Sequence, residues 1–117
     1  MECEMEIMMF VVADPEIDGG DVDQEAVAEW DRVMAERGVL KRAMRLRPAD
    51  EAKTVRVRGG ELIVTDGPFT ESKEWIAGYD LLEVADLAEA EAIAAGDLLA
   101  RFGALELRPV WPLGSED

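Results

Sequence analysis

Residues Thr65-Asp66-Gly67-Pro68-Phe69-Thr70-Glu71-Ser72-Lys73-Glu74 constrain the fold more than any other stretch. They place a turn, a proline stop, an aromatic anchor and alternating charge between two strand-like runs. Asp66-Gly67 is a turn pair, Pro68 sets the chain direction, and Phe69 carries a ring suited to a core, so the motif reads as a strand-ending corner. Just upstream, Thr54-Val55-Arg56-Val57-Arg58 and Glu61-Leu62-Ile63-Val64-Thr65 flank Gly59-Gly60, the signal of a two-residue hairpin. In that register Arg58 opposes Glu61 and Val57 opposes Leu62, so charge and apolar pairs match across the ladder.

The remaining elements alternate around this corner. Residues 5–13 form a near-continuous apolar run, as expected of a central strand covered on both faces. An acidic loop with Pro15 and Gly19-Gly20 follows, ending at Asp21 or Asp23, either of which can cap a helix. Val22, Ala26, Val27, Trp30, Val33 and Met34 then recur at helical spacing, and Gly38 supplies the stop. Residues 39–47 read as a second strand with Leu40, Arg42, Met44 and Leu46 on one face and Lys41, Ala43, Arg45 and Arg47 on the other. Gly78 to Val84 is a third main strand, and Asp86-Leu87-Ala88-Glu89 opens a helix with an aspartate capping box that points Ala90, Ile93 and Ala94 inward. Gly96-Asp97 interrupts that helix, and residues 104–110 close the sheet. The order is βαββαβ with a hairpin inserted between the second and third principal strands, an α+β chain of ferredoxin-like topology.

A chain of 117 residues has room for one domain, which buries roughly 65% of its unfolded surface. No apolar run approaches the roughly 18–20 residues that span a bilayer. The start, Met1-Glu2-Cys3-Glu4, is acidic where a signal peptide is basic, and the single cysteine has no internal partner, so a reducing cytoplasm is expected. The net charge of −15 opposes contact with nucleic-acid phosphates and anionic lipid. That charge is uneven: residues 1–36 carry 12 acids and one base, residues 37–60 two acids and eight bases, and residues 61–117 13 acids and three bases. The central bases either neutralise neighbouring acidic elements or line an anion-binding cleft.

With no histidine and one cysteine, zinc sites and Ser-His or Cys-His nucleophiles lack their parts. Gly19-Gly20 and Gly59-Gly60 lack the helix and lysine of a phosphate loop, and Asp14, Glu16 and Asp18 lack the twelve-residue calcium-loop pattern. No metal or other cofactor is therefore expected. The candidates for chemistry are Asp66, Glu71 and Lys73, because a corner needs neither a lysine nor a second carboxylate. Lys73 is suited to pairing an anion or, once desolvated, to acting as a base, and Asp66 or Glu71 to accepting a proton. The structural alternative for each is a surface salt bridge. In the last strand Leu105 and Leu107 share one face and Glu106 and Arg108 the other, where an ion pair and an arginine-lined carboxylate site compete as explanations. Trp75 and Tyr79 are either apolar walls of a site or core packing.

Together with Gly78-Tyr79 and Glu106-Leu107-Arg108-Pro109-Val110, the Asp-Gly-Pro-Phe motif resembles the DGPF branch of the YCII-related proteins, over about Met5 to Trp111. The resemblance implies a ferredoxin-like fold that pairs into a dimeric α+β barrel, hence a homodimer. It also implies a link to regulation, since DGPF relatives occur beside or fused to extracytoplasmic-function sigma factors. In such a barrel the sheet face away from the helices encloses the cleft. That would present Glu106 and Arg108, with Arg45 and Arg47, to a small organic anion. Some YCII relatives carry an Asp-His pair for proton transfer, which a chain without histidine cannot run. Two functions remain: a ligand-binding or regulatory accessory protein, and a cofactor-independent acid/base enzyme acting on a small organic acid.

Overall fold

The computed structural model describes residues 5–14, 23–68 and 75–111. Its elements are β1 (Met5–Ala13), α1 (Gln24–Glu36), β2 (Leu40–Arg45), β3 (Lys53–Arg58), β4 (Glu61–Asp66), β5 (Trp75–Val84), α2 (Leu87–Ala95) and β6 (Gly103–Pro109), with 3-10 turns at Ala49–Glu51 and Leu98–Arg101. β2, β5, β1 and β6 form one antiparallel sheet in that order, and β3 and β4 form a separate two-stranded pair. This mixed α+β arrangement, an antiparallel sheet with two helices, is compatible with a ferredoxin-like layer.

Capping chemistry sets the helix starts. The Asp23 carboxylate accepts the N–H groups of Glu25 at 3.0 Å and Ala26 at 3.2 Å, so Asp23 fills the role that Asp21, outside the described residues, would have shared. Gly38 adopts a φ of 78° and lets the chain leave α1 directly into β2. At α2 the Asp86 carboxylate accepts the Glu89 N–H at 2.8 Å, while Glu89 Oε1 accepts the N–H of Ala85 at 2.7 Å, closing the box one residue earlier than the usual reciprocal pair.

The helices cover one face of the sheet. Ile7, Met9, Leu82 and Val84 are fully enclosed there against Met34 of α1 and Ala90 and Ile93 of α2, with Leu105 and Leu107 packed alongside. The opposite face of β1 differs from the sequence expectation: Met8, Phe10 and Val12 are only half-buried, because among the described residues no second layer lies over them. Across the ladder Phe10 pairs with Tyr79 and Glu106, and Met8 with Leu81 and Arg108, so an apolar stripe flanked by charge lies open.

The β3–β4 hairpin has the predicted register, Arg58 opposite Glu61 and Val57 opposite Leu62. Gly59 and Gly60 take φ of 58° and 81°, the left-handed pair that a tight hairpin turn with the right-handed strand twist requires. Its base is tied by the Lys53–Asp66 ion pair, by Thr54 Oγ1 donating to the Gly67 carbonyl at 2.8 Å, and by the Gly67 N–H donating to the Ala52 carbonyl at 2.8 Å. The radius of gyration is 16.4 Å and the extents are 48 × 42 × 19 Å. A compact chain of this length would have a radius near about 13 Å, so the molecule is a thin plate.

Candidate functional site

β2 is not a regular strand, and its irregularity decides where the arginines go. The pairing with β5 shifts between Leu40 and Arg42, after which Arg42 opposes Leu81, Ala43 opposes Asp80, Met44 opposes Tyr79 and Arg45 opposes Gly78. An extra residue reverses the alternation downstream of it. Arg42 and Met44 therefore join Tyr79 and Leu81 on the open face, and Arg45 shares the helix-bearing face with Gly78 and Asp80. The expected grouping of Arg45 and Arg47 with Glu106 and Arg108 does not form within the chain. β2 and β6 are opposite edges of the sheet, and the bulge places Arg45 on the other face from Arg108.

Part of the basic segment balances nearby acids. Lys41 pairs with Glu83 at 2.9 Å, Arg47 with Glu51 at 2.8 Å, and Lys53 with Asp66. Arg108 meets Glu106 at 3.4 Å on the exposed side of β6, the simpler of the two explanations for that pair. Asp66 is held by Lys53 at the hairpin base, and its neighbour Gly67 makes the turn with a φ of 96°. Glu71, Lys73 and Phe69 lie outside the described residues. Tyr79 stands half-buried on the open face between Phe10 and Met44.

Among the described residues Arg45, like Arg42, makes no ion pair. It borders an open recess of about 440 Å³ lined also by Leu46, Pro48, Ala49, Trp75 and Ala77. Three local features build this recess. Leu46 N–H donates to the Ala77 carbonyl at 2.8 Å and extends the edge beyond β2. Pro48 ends the strand, and the 3-10 turn Ala49–Glu51 folds back beside β5. Gly78 permits the close approach, since a Cβ there would lie 2.6 Å from the Met44 carbonyl oxygen. An arginine lining a recess whose other lining residues are apolar or aromatic is suited to a small carboxylate with an apolar body.

A second cluster lies where no sequence motif marks it. Asp80 on β5 is 7% exposed and Asp97, which heads the Leu98–Arg101 turn, is 2% exposed, with the half-buried Asp31 of α1 close by. Burial, reinforced by the charges of Asp31 and Asp97, pushes the Asp80 carboxyl up to about 7. Burial also raises Asp97, against the lowering effect of the Leu99 N–H that its carboxylate accepts at 3.0 Å. Burial raises Asp31 as well, with Asp97 adding to it. The signal was present in the alternation: Gly78, Asp80, Leu82 and Val84 fall in one phase of β5, and that phase is the buried one. Among the described residues no group of three or more acidic, cysteine or histidine side chains is placed to hold a metal ion. No helix among them is long and apolar enough to cross a membrane.

Comparison with known proteins agrees with the motif reading. A protein of Rhizobium meliloti (strain 1021), described as uncharacterized, is 40% identical over 81 residues, 68% of this chain. The aligned region spans 65% of that relative's length. The model of the YCII-related domain matches residues 5–114, nearly the whole chain. The chain belongs to the YCII-related domain family.

Proposed function

We propose that the protein binds a small organic anion, as a ligand-binding or regulatory accessory protein, and that Arg45 holds the anionic group. The observation that carries this reading is an arginine without a carboxylate partner among the described residues, set in an apolar recess beside Trp75. An unpaired guanidinium next to apolar surface gives a carboxylate two charge-assisted hydrogen bonds and its hydrocarbon part a dry contact. The overall charge of −15 does not prevent this, because distant charges are screened beyond about 8 Å at physiological salt. Lys73 precedes Trp75 by two positions in the chain, and its cation belongs to the same proposal.

The reading includes a homodimer. What supports it is the 19 Å thickness of the plate and the open stripe of Met8, Phe10, Tyr79 and Leu81, a face that a second copy would cover. The sigma-factor association of DGPF relatives would give such a binding protein a regulatory setting. Calorimetry or ligand-observed NMR with a panel of small aromatic and branched aliphatic carboxylates tests the site. Arg45→Ala should weaken binding by about tenfold or more, the worth of one charge-assisted pair. Trp75→Ala should weaken selectively those ligands with a ring or branched body. Equal affinity in the wild type and Arg45→Ala would remove the recess from consideration.

A further inference from the structure

Asp80 occupies a position that the sheet otherwise gives to apolar side chains. It lies in phase with Leu82 and Val84 and opposes Met9 on β1 and Ala43 on β2. It is 7% exposed, and among the described residues it has neither a hydrogen bond nor an ion pair. A buried carboxylate in that situation is costly, whereas a neutral carboxyl is tolerated.

The elements packed over this face supply no counter-charge. α1 contributes Asp31; its Arg32 is engaged by Glu29 and Glu36, and its C-terminal Arg37 donates to the Met34 sulfur. The Leu98–Arg101 turn contributes Asp97, whose carboxylate already accepts the Leu99 N–H, and its Arg101 is exposed to solvent. On α2, Glu89 is turned back onto the Ala85 N–H and Glu91 is exposed. Arg45, one ladder position along the same face, makes no ion pair with Asp80. Three acids from three elements thus converge, and among the described residues only Asp97 has a hydrogen-bond partner. The apolar hold on α1 is slight: Met34 is its buried side chain, with Trp30 and Val33 partly covered.

We propose that Asp80 is a proton-operated latch: its neutral carboxyl lets α1 and the Asp97 turn close over the sheet, and loss of that proton to solvent loosens them. The direction follows from linkage. The folded chain keeps a proton that the unfolded or undocked chain releases, so docking is favoured at acidic pH and weakens as pH rises through neutrality. The proposal stands apart from anion binding at Arg45, because it requires no ligand.

The test is backbone amide exchange of the Gln24–Glu36 helix, corrected for the intrinsic pH dependence of exchange, together with direct carboxyl titration of Asp80 by carbon NMR. Between pH 6 and pH 8 the protection of α1 should fall about tenfold in the wild type, the factor expected for a group titrating near neutrality when closed and near 4 when open. Asp80→Asn and Asp80→Leu, both uncharged, should abolish that fall. Asp31→Asn should shift the Asp80 titration to lower pH and shrink the change. An Asp80 carboxyl that titrates near 4 in the wild type would overturn the latch whether or not the variants fold. So would a tenfold fall that persists in either uncharged variant.

Discussion

The main sheet and the β3–β4 hairpin are built by the same kind of antiparallel pairing and end in opposite environments. Both pair antiparallel, and both align apolar residue against apolar residue: Met9 and Ile7 beside Leu107 and Leu82, Val55 opposite Val64, Val57 opposite Leu62. Yet Ile7, Met9 and Leu82 are fully enclosed, while the four hairpin side chains are 52–66% exposed. Strand pairing satisfies the backbone locally, but burial needs a second layer, and among the described residues only the main sheet has helices over it.

That contrast can be broken by measurement. Leu82→Ala should cost about 3 kcal/mol, because it empties a fully enclosed position, and a urea midpoint nearly unchanged would mean that the core is not where the fold is held. The next effect comes from the polar intruder on the same face. The folded Asp80 pKa of about 7 lies above the unfolded value near 3.8, so stability should fall by about 2–3 kcal/mol from pH 5 to pH 8 and level off above. Urea titrations of wild type and Asp80→Leu at both pH values would isolate that contribution; identical slopes would exclude it. Gly78→Ala should cost about 1–3 kcal/mol, since its Cβ would meet the Met44 carbonyl at 2.6 Å and force β2 away from β5. A neutral result would show that β2 moves freely, and the Arg45 recess with it. Smallest of all should be Val57→Ala or Leu62→Ala, under about 0.5 kcal/mol in dilute protein. A loss that grows with protein concentration would sharpen the contrast differently, by showing that a second copy covers the hairpin ladder.

Much of the local structure was readable. The Asp23 and Asp86 caps, the Gly38 exit, the Gly59-Gly60 turn and its register, and the Leu105/Leu107 face all follow from interactions within a few residues or across one ladder. The grouping of Arg45 with Arg108 failed because a one-residue bulge at the start of β2 reverses the faces beyond it, and no composition cue marks that bulge in Leu40-Lys41-Arg42. The phase of Asp80 with Leu82 and Val84 is legible in the sequence and marks it as buried. What could not be inferred was its company: Asp31 and Asp97 are 49 and 17 residues away in the chain and meet Asp80 only when α1 and the Leu98–Arg101 turn close over the sheet.

The division has a physical origin. Caps, turns and hairpin register depend on short-range sterics and hydrogen bonds, which a few adjacent residues carry in full, so the family motif and the order of elements were written in the chain itself. Which bases remain without a partner, which carboxyl loses its water and which apolar ladder stays wet depend on what packs against them from afar. Desolvation and charge pairing are properties of the assembled layers, and for Arg45, Asp80 and the Val57–Leu62 ladder only the tertiary structure could decide them.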